Sequence, residues 1–240
     1  MVDASSRLGL TLADQQLDKL LAYRELLLRW NRVYNLTALR DPAEVLSHHL
    51  IDCLAVVPAL RRHAAGRPLR VLDVGSGGGL PGVVVALLQP DWHVTCVDTV
   101  AKKVAFIRQA GGELRLGNLI AAHSRVEAMA MAMPAVPATG QEVAGQPAGP
   151  ERGTASVPGR GHGPFDLITS RAFASLSDFV TLTADLLTPQ GVWAAMKGKP
   201  TSEELAEVPA GVNMFHVEPI QVPDLDAQRC LVWMRFRSSD

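Results

Sequence analysis

Cysteine, aromatic residues and net charge are all scarce in this 240-residue chain, and each scarcity excludes something. Cys53, Cys96 and Cys230 are odd in number, far apart and without CxxC spacing. They supply neither a disulfide framework nor a zinc site, so a reducing cytoplasm is expected. A formal net charge of −1 excludes a surface coated in positive charge, as in a free-standing nucleic-acid binder. Charged residues break the apolar runs well short of the ~20 residues that span a bilayer. The opening MVDASSRLGLTLAD has no basic region ahead of an apolar one, so no signal peptide is expected.

What is present suits one large domain with a small appendage. Hydrophobic residues make up 48% of the chain, ample for a packed core. The near-neutral total hides an asymmetry: residues 1–128 hold 15 Lys+Arg against 12 Asp+Glu, and residues 129–240 hold 8 against 12. Arg24, Arg29, Arg32 and Arg40 lie close together with Glu25 as their one acidic neighbour. Charge alone reads such a stretch as a solvated helix face.

The apolar period divides the chain. Thr11 can cap a helix, with Asp14 three residues on, and leucines at helical spacing carry it to about Tyr34. Asp41-Pro42-Ala43-Glu44 is a second helix start, and that helix should end near Pro58. Residues 1–65 therefore read as a helical extension, and 66–240 as the main domain. There short strands alternate with helices: strands at Leu69–Val74, Trp92–Val97, Leu119–His123, Phe165–Ser170 and Val192–Met196, with helices at Leu80–Leu88, Lys102–Leu116 and Leu176–Leu187. This order predicts an α/β, doubly wound and mostly parallel sheet. Val212–Val217 and Cys230–Phe236 have no helical pattern between them, so they should close the sheet as an antiparallel pair. Residues 134–164 hold six prolines and seven glycines, with no apolar period, and read as a disordered insertion.

The first strand runs into five glycines between Gly75 and Gly82. Gly77, Gly79 and Gly82 match the GxGxxG dinucleotide fingerprint, but a lone match is weak and its register is poor. The strand ends at Val74, so the tight turn belongs to Gly75, and bulky Leu80 and rigid Pro81 then stand where a pyrophosphate would meet the helix. The alternative is Asp-x-Gly-x-Gly-x-Gly from Asp73 through Gly75 and Gly77 to Gly79, which lets backbone approach the amino-acid and ribose portions of a donor with no phosphate to cradle. Asp98, ending the second strand, can accept both hydroxyls of a ribose in either case. Register, Leu80-Pro81 and the terminal strand pair favour S-adenosylmethionine. An NAD(P)-dependent oxidoreductase remains the alternative.

Several stretches then fall in one order: Trp30–Arg40, His49-Leu-Ile-Asp52, Asp73–Gly82, Ser124-Arg-Val-Glu127 and Ser170-Arg-Ala-Phe-Ala-Ser175. In these the chain resembles the bacterial small-subunit rRNA guanine-N(7) methyltransferase family, RsmG or GidB, over roughly residues 10–130 and 164–205. The resemblance implies a class I methyltransferase fold, S-adenosyl-L-methionine as donor and a guanine of 16S rRNA as acceptor. It also implies that Gly75 and Leu80 line the donor, with Val126 and Glu127 flanking its adenine. Two features depart from the family: Gly78 stands where relatives usually carry Pro or Ala, and the insertion is longer than the usual connection. A donor-binding RNA module without catalysis is a further alternative.

Each candidate also has a plain structural reading. Glu127 can be an exposed loop acid. Arg171, just past the fourth strand, can be a surface ion pair, or a guanidinium that grips the donor's carboxylate or an rRNA phosphate in bidentate geometry. His48, His49, Asp52 and Cys53 have helical spacing that could suit a metal, but no third ligand cluster follows. No metal is expected, and His49 and Asp52 should join the helical extension to the sheet domain. Trp30 should be core, while Tyr34 could be buried or stack on a base.

Guanine N(7) carries a lone pair and no proton, so attack on a methyl group needs no general base. Arg171 would then position, and Arg24, Arg29, Arg32, Arg40, Lys102, Lys103, Lys197 and Lys199 would be the phosphate contacts. A modest basic patch fits a monomer that relies on 16S rRNA within a small-subunit particle and needs no protein partner or membrane.

Overall fold

In the computed structural model, residues 1–34, 36, 41–132, 163–171, 173 and 175–237 are described. Arg40 lies outside them, as does the proline- and glycine-rich stretch apart from Gly163 and Pro164. Seven strands form one sheet in the order β3-β2-β1-β4-β5-β7-β6. They are β1 (Arg70–Val74), β2 (His93–Asp98), β3 (Leu119–His123), β4 (Phe165–Ser170), β5 (Leu187–Lys197), β6 (Val212–Ile220) and β7 (Arg229–Phe236). The first five run parallel, and β7 runs antiparallel to both β5 and β6. A short connection cannot hold a crossover helix, so β7 must return beside β6 as a hairpin.

Helices cover both faces, which is why the central strands are apolar nearly throughout. On one face α2 (Asp14–Tyr34), α4 (Asp52–Ala64), α5 (Gly82–Leu88) and α6 (Ala101–Glu113) share a single apolar cluster that includes Leu27, Leu54, Val71, Val84 and Phe106. On the other, α8 (Leu176–Thr183) packs Leu176 and Phe179 against Leu72, Ile168 and Trp193. The N-terminal helices thus share one continuous core with the sheet.

Several boundaries differ from the sequence reading, each for a physical reason. A short α1 (Val2–Arg7) precedes α2, and α2 starts at Asp14 without a Thr11 cap. There Gln16 reaches back and accepts from the Ala13 N–H at 3.1 Å. At the second start Asp41 caps as expected, taking the Ala43 and Glu44 amides at 2.8 and 3.1 Å. That helix comprises α3 (Pro42–Val45), a wide π turn over Leu46–Ile51 and α4, and it passes through Pro58. Ala59, Leu60 and Ala64 beyond the proline are buried, so packing overrides the stop signal. It ends instead where Ala65 adopts a left-handed conformation, φ 49°. Ala43–Ala64 is long and apolar enough to cross a bilayer by length and composition alone, but 67% of its most apolar stretch is buried against the rest of the protein. It is a core helix.

The helix after β4 also breaks early, becoming a 3-10 turn at Ala184–Leu186, and β5 begins at Leu187. A register shift against Phe165 and Leu167 absorbs the polar residues before Val192. Residues Val126–Ala132 and Ser202–Ala206 form α7 and α9, which the apolar period did not reveal.

Candidate active site

Strand order reverses between β1 and β4, with connections leaving on opposite faces, and ligands of such sheets bind outside the carboxyl ends of strands at that point. The glycine loop leaves β1 there. Gly75 and Ser76 donate their amides to the Val97 carbonyl of β2 at 2.9 and 3.1 Å. Gly75, Gly77 and Gly79 have φ of +66, +58 and +84°, a region that side-chain-bearing residues avoid. The Asp98 carboxylate holds the loop in place: Oδ2 accepts from the Gly77 amide at 2.9 Å and Oδ1 from the Val100 amide at 2.8 Å.

Above this loop opens a cleft of about 460 Å³. Gly75, Asp98, Lys103, Val126, Glu127 and Phe173 are among its walls. A Cβ built on Gly75 would meet nothing within 4 Å, so the backbone there faces open space. Asp98 is buried yet keeps unused lone pairs beside that opening. Bare backbone beside an acceptor-only carboxylate fits the ribose of a nucleoside donor.

The same geometry argues against a pyrophosphate. The Gly82 amide at the start of α5 is taken by Asp73 Oδ2 at 2.8 Å, and the Val83 amide by the Gly79 carbonyl at 2.7 Å. Leu80 and Pro81 are buried, and a Cβ on Gly82 would lie 2.3 Å from Cys96 Sγ. No phosphate can approach that helix end.

Asp73, Gly77, Gly79 and Leu80 therefore shape the loop from behind and do not form the cleft wall. Asp73 is fully buried, and its Oδ1 has no hydrogen-bond partner among the described residues. Burial pushes its pKa from 3.8 up to about 7, with the Gly82 amide opposing the shift. The folded state thus holds this proton more tightly than the unfolded chain. The resulting stabilisation is complete below pH 3.8 and is lost as pH rises through about 7. Asp73→Asn keeps an acceptor for Gly82 and cannot ionise. Its melting temperature should rise relative to wild type from pH 4 to 8, and a pH-independent difference would refute a proton on Asp73.

Arg171 stands apart from the donor cleft walls. Its Nη1 donates to the His48 carbonyl at 3.1 Å and to His49 Nδ1 at 3.0 Å, and lies 3.6 Å from Asp52 Oδ2. His49 Nδ1 lies between this donor and the His48 carbonyl, an acceptor 3.1 Å away. Burial, then the Arg171 charge, lowers the His49 pKa to about 4. Asp52 Oδ1 takes Nε of Arg229 at 2.9 Å. His49 and Asp52 thus tie the helical segment to the ends of β4 and β7, where the metal-like spacing of His48, His49, Asp52 and Cys53 serves a structural contact.

The remaining cations are dispersed. Lys103 leans over the donor cleft, 3.9 Å from Asp98 Oδ2. Lys197 is largely buried, pairing with Glu204 at 2.6 Å and donating to the Phe173 carbonyl at 3.1 Å. Arg24 pairs with its neighbour Glu25. Arg29, Arg32, Lys102 and Lys199 are exposed. Trp30 is partly buried against Phe106, ring centroids 5.5 Å apart, and Tyr34 is 43% exposed. Sequence reasoning missed Tyr23, whose hydroxyl donates to the Gly78 carbonyl and pins α2 to the glycine loop. A tyrosine amid leucines on a buried helix face was the available signal, because its polar tip must find a partner.

Strand order, the reversed β7, the glycine loop and the acid ending β2 define a class I methyltransferase fold. A solved S-adenosylmethionine-dependent methyltransferase from Aquifex aeolicus shares that fold at TM-score 0.51 and 15% identity, over 81% of this chain and 93% of that one. The chain belongs to the GidB family, rRNA small subunit methyltransferase G, whose family model matches residues 16–137 and 159–232. It is 50% identical over 238 residues to the ribosomal RNA small subunit methyltransferase G of Leptothrix cholodnii, covering 99% of this chain and 95% of that protein. It is also 50% identical over 228 residues to the protein of the same name from Methylibium petroleiphilum, covering 95% and 88%.

Proposed function

We propose that the chain transfers a methyl group from S-adenosyl-L-methionine to N(7) of a guanine in 16S rRNA, in the small-subunit loop near the decoding region. The observation that carries this reading is the bare Gly75 backbone beside Asp98 in one cleft, in a chain of a methyltransferase family. Asp98 would accept the ribose hydroxyls, Gly75 would admit the donor against the backbone, and Val126 and Glu127 would flank its adenine. When bound, the donor supplies an electrophilic methyl group on a sulfonium.

The chain's own part is orientation and exclusion of water. Phe173, Leu182 and Val126 give the cleft an apolar wall. N(7) has no proton to lose, so neither Asp98 nor Glu127 is asked to act as a base. Arg171 positions, from the end of β4. The N(7) edge of a paired guanine lies in a deep groove that side chains cannot enter, so the target must be looped or flipped out. Exposed Arg29, Arg32, Lys102 and Lys199, with Arg40, contact phosphates, and residues 1–65 act as the extension that presents the first of these. Such a sparse set suits a cytoplasmic monomer acting on a small-subunit particle.

Labelled methyl transfer to 16S rRNA, with mapping of the modified base, tests this reading. Label should appear on one guanine N(7), and label elsewhere or nowhere would refute it. Calorimetry separates the dinucleotide alternative: S-adenosylhomocysteine should bind and NAD should not.

A further inference from the structure

A second cleft, larger than the donor cleft, encloses about 720 Å³. Part of its wall is the Gly198–Pro200 segment after β5, the Pro219–Pro223 stretch that ends β6 and continues beyond it, and the start of β7. Lys197 and Pro219 both register with Cys230 on β7, so these three ends meet at one edge of the sheet. That edge is the carboxyl edge of the parallel strands, where the donor cleft also opens. Arg7 of α1 and Leu8 just after it also line it.

Three cations line this second cleft, Arg7, Lys199 and Arg229, against one acid, Asp226. Two of these cations are already paired with carboxylates, which leaves Lys199 as the cation of this wall for an incoming anion. Arg7 is held by Asp224 at 2.7 Å, and Arg229 by Asp52. Lys199 is exposed and has no ion pair among the described residues. Between the cations, Pro200, Pro219, Val222 and Leu225 form apolar walls. Arg229 connects the cleft through Asp52 to Arg171, so it and the end of β4 share one charged network.

We propose that this cleft holds nucleotides flanking the target guanine in a single-stranded stretch of the RNA, an inference that rests on the function proposed above. Extruding one base leaves its neighbours unstacked, and these need a surface with apolar faces for bases and cations for the backbone. The volume lies within the usual range of ligand sites, roughly 300–1,000 Å³. Lys199 takes a phosphate, and the proline and aliphatic walls cover a base.

The test compares wild type, Lys199→Ala, Lys199→Glu and Arg67→Ala on small-subunit particles and on a 16S rRNA fragment. Arg67 lies just before β1, at the opposite edge of the sheet, and serves as the control. Removing one single-strand phosphate contact should lower the slope of log K against log salt by about 0.7. Lys199→Ala should show that drop and Lys199→Glu should raise KM severalfold, both with unchanged S-adenosylhomocysteine affinity, while Arg67→Ala keeps the wild-type slope. Lys199→Ala with wild-type slope and KM, or an equal drop in Arg67→Ala, overturns the subsite while wild-type methylation stands. Wild type that methylates no rRNA removes the underlying reading and the subsite with it.

Discussion

Asp98→Ala should lower S-adenosylhomocysteine affinity by a hundredfold or more, with the helical and strand content unchanged. The carboxylate has two tasks. It holds the Gly77 and Val100 amides, which set the shape of both loops bordering the donor cleft. Its spare lone pairs face the opening beside Gly75, where two ribose hydroxyls would donate. A hydrogen bond to a charged group contributes about 1.5–3 kcal/mol. Losing two such bonds therefore costs about 3–6 kcal/mol, a factor of a hundred or more in affinity. Asp98→Asn keeps one acceptor but turns a carboxamide NH2, a donor, toward a backbone N–H, so it should fall between wild type and Ala. Calorimetry with S-adenosylhomocysteine decides the matter, and wild-type affinity in the alanine variant would move the donor site elsewhere.

Arg171→Ala should reduce methyl transfer about ten- to hundredfold, the range expected when a charge-assisted contact is lost. Arg171→Lys keeps the charge without the planar fork and should be impaired less. The structure adds a second signature. In wild type, His49 is neutral down to about pH 4, whereas an unfolded histidine protonates near 6.5. The unfolded state therefore binds more protons between these values, and stability falls as pH drops from 6.5 towards 4. Removing the Arg171 charge raises the His49 pKa part of the way, since burial remains. Thermal melts of Arg171→Ala should accordingly show a shallower acid loss than wild type. An alanine variant with wild-type methyl transfer would confine Arg171 to holding the helical segment on the sheet.

The sheet domain was largely legible because its signals are local. A β-branched run ending in glycines, an acid closing the next strand and helix caps such as Asp41 each act within a few residues. The donor class could also be read locally, since a strand ending at Val74 fixes which glycine makes the turn and leaves Leu80 and Pro81 where a phosphate would sit. Boundaries failed where burial opposed a local signal. Pro58 reads as a stop, yet the residues beyond it belong to the core.

Alternation of strand and helix, the register of the glycine turn and the placement of Asp98 were determined by the sequence alone, because backbone conformation and apolar period are properties of neighbouring residues. Tertiary structure decided which groups meet. Tyr23 reaches Gly78 across 55 positions, and Arg229 reaches Asp52 across 177. Lys103 turns into the donor cleft and Lys197 into an internal pair, although both read as surface cations. Asp73 is sealed behind the loop and holds its proton near neutrality. A charge's partner and its loss of water depend on chain segments distant in sequence, so the protonation and partners of these residues arise only when the sheet and helices pack together.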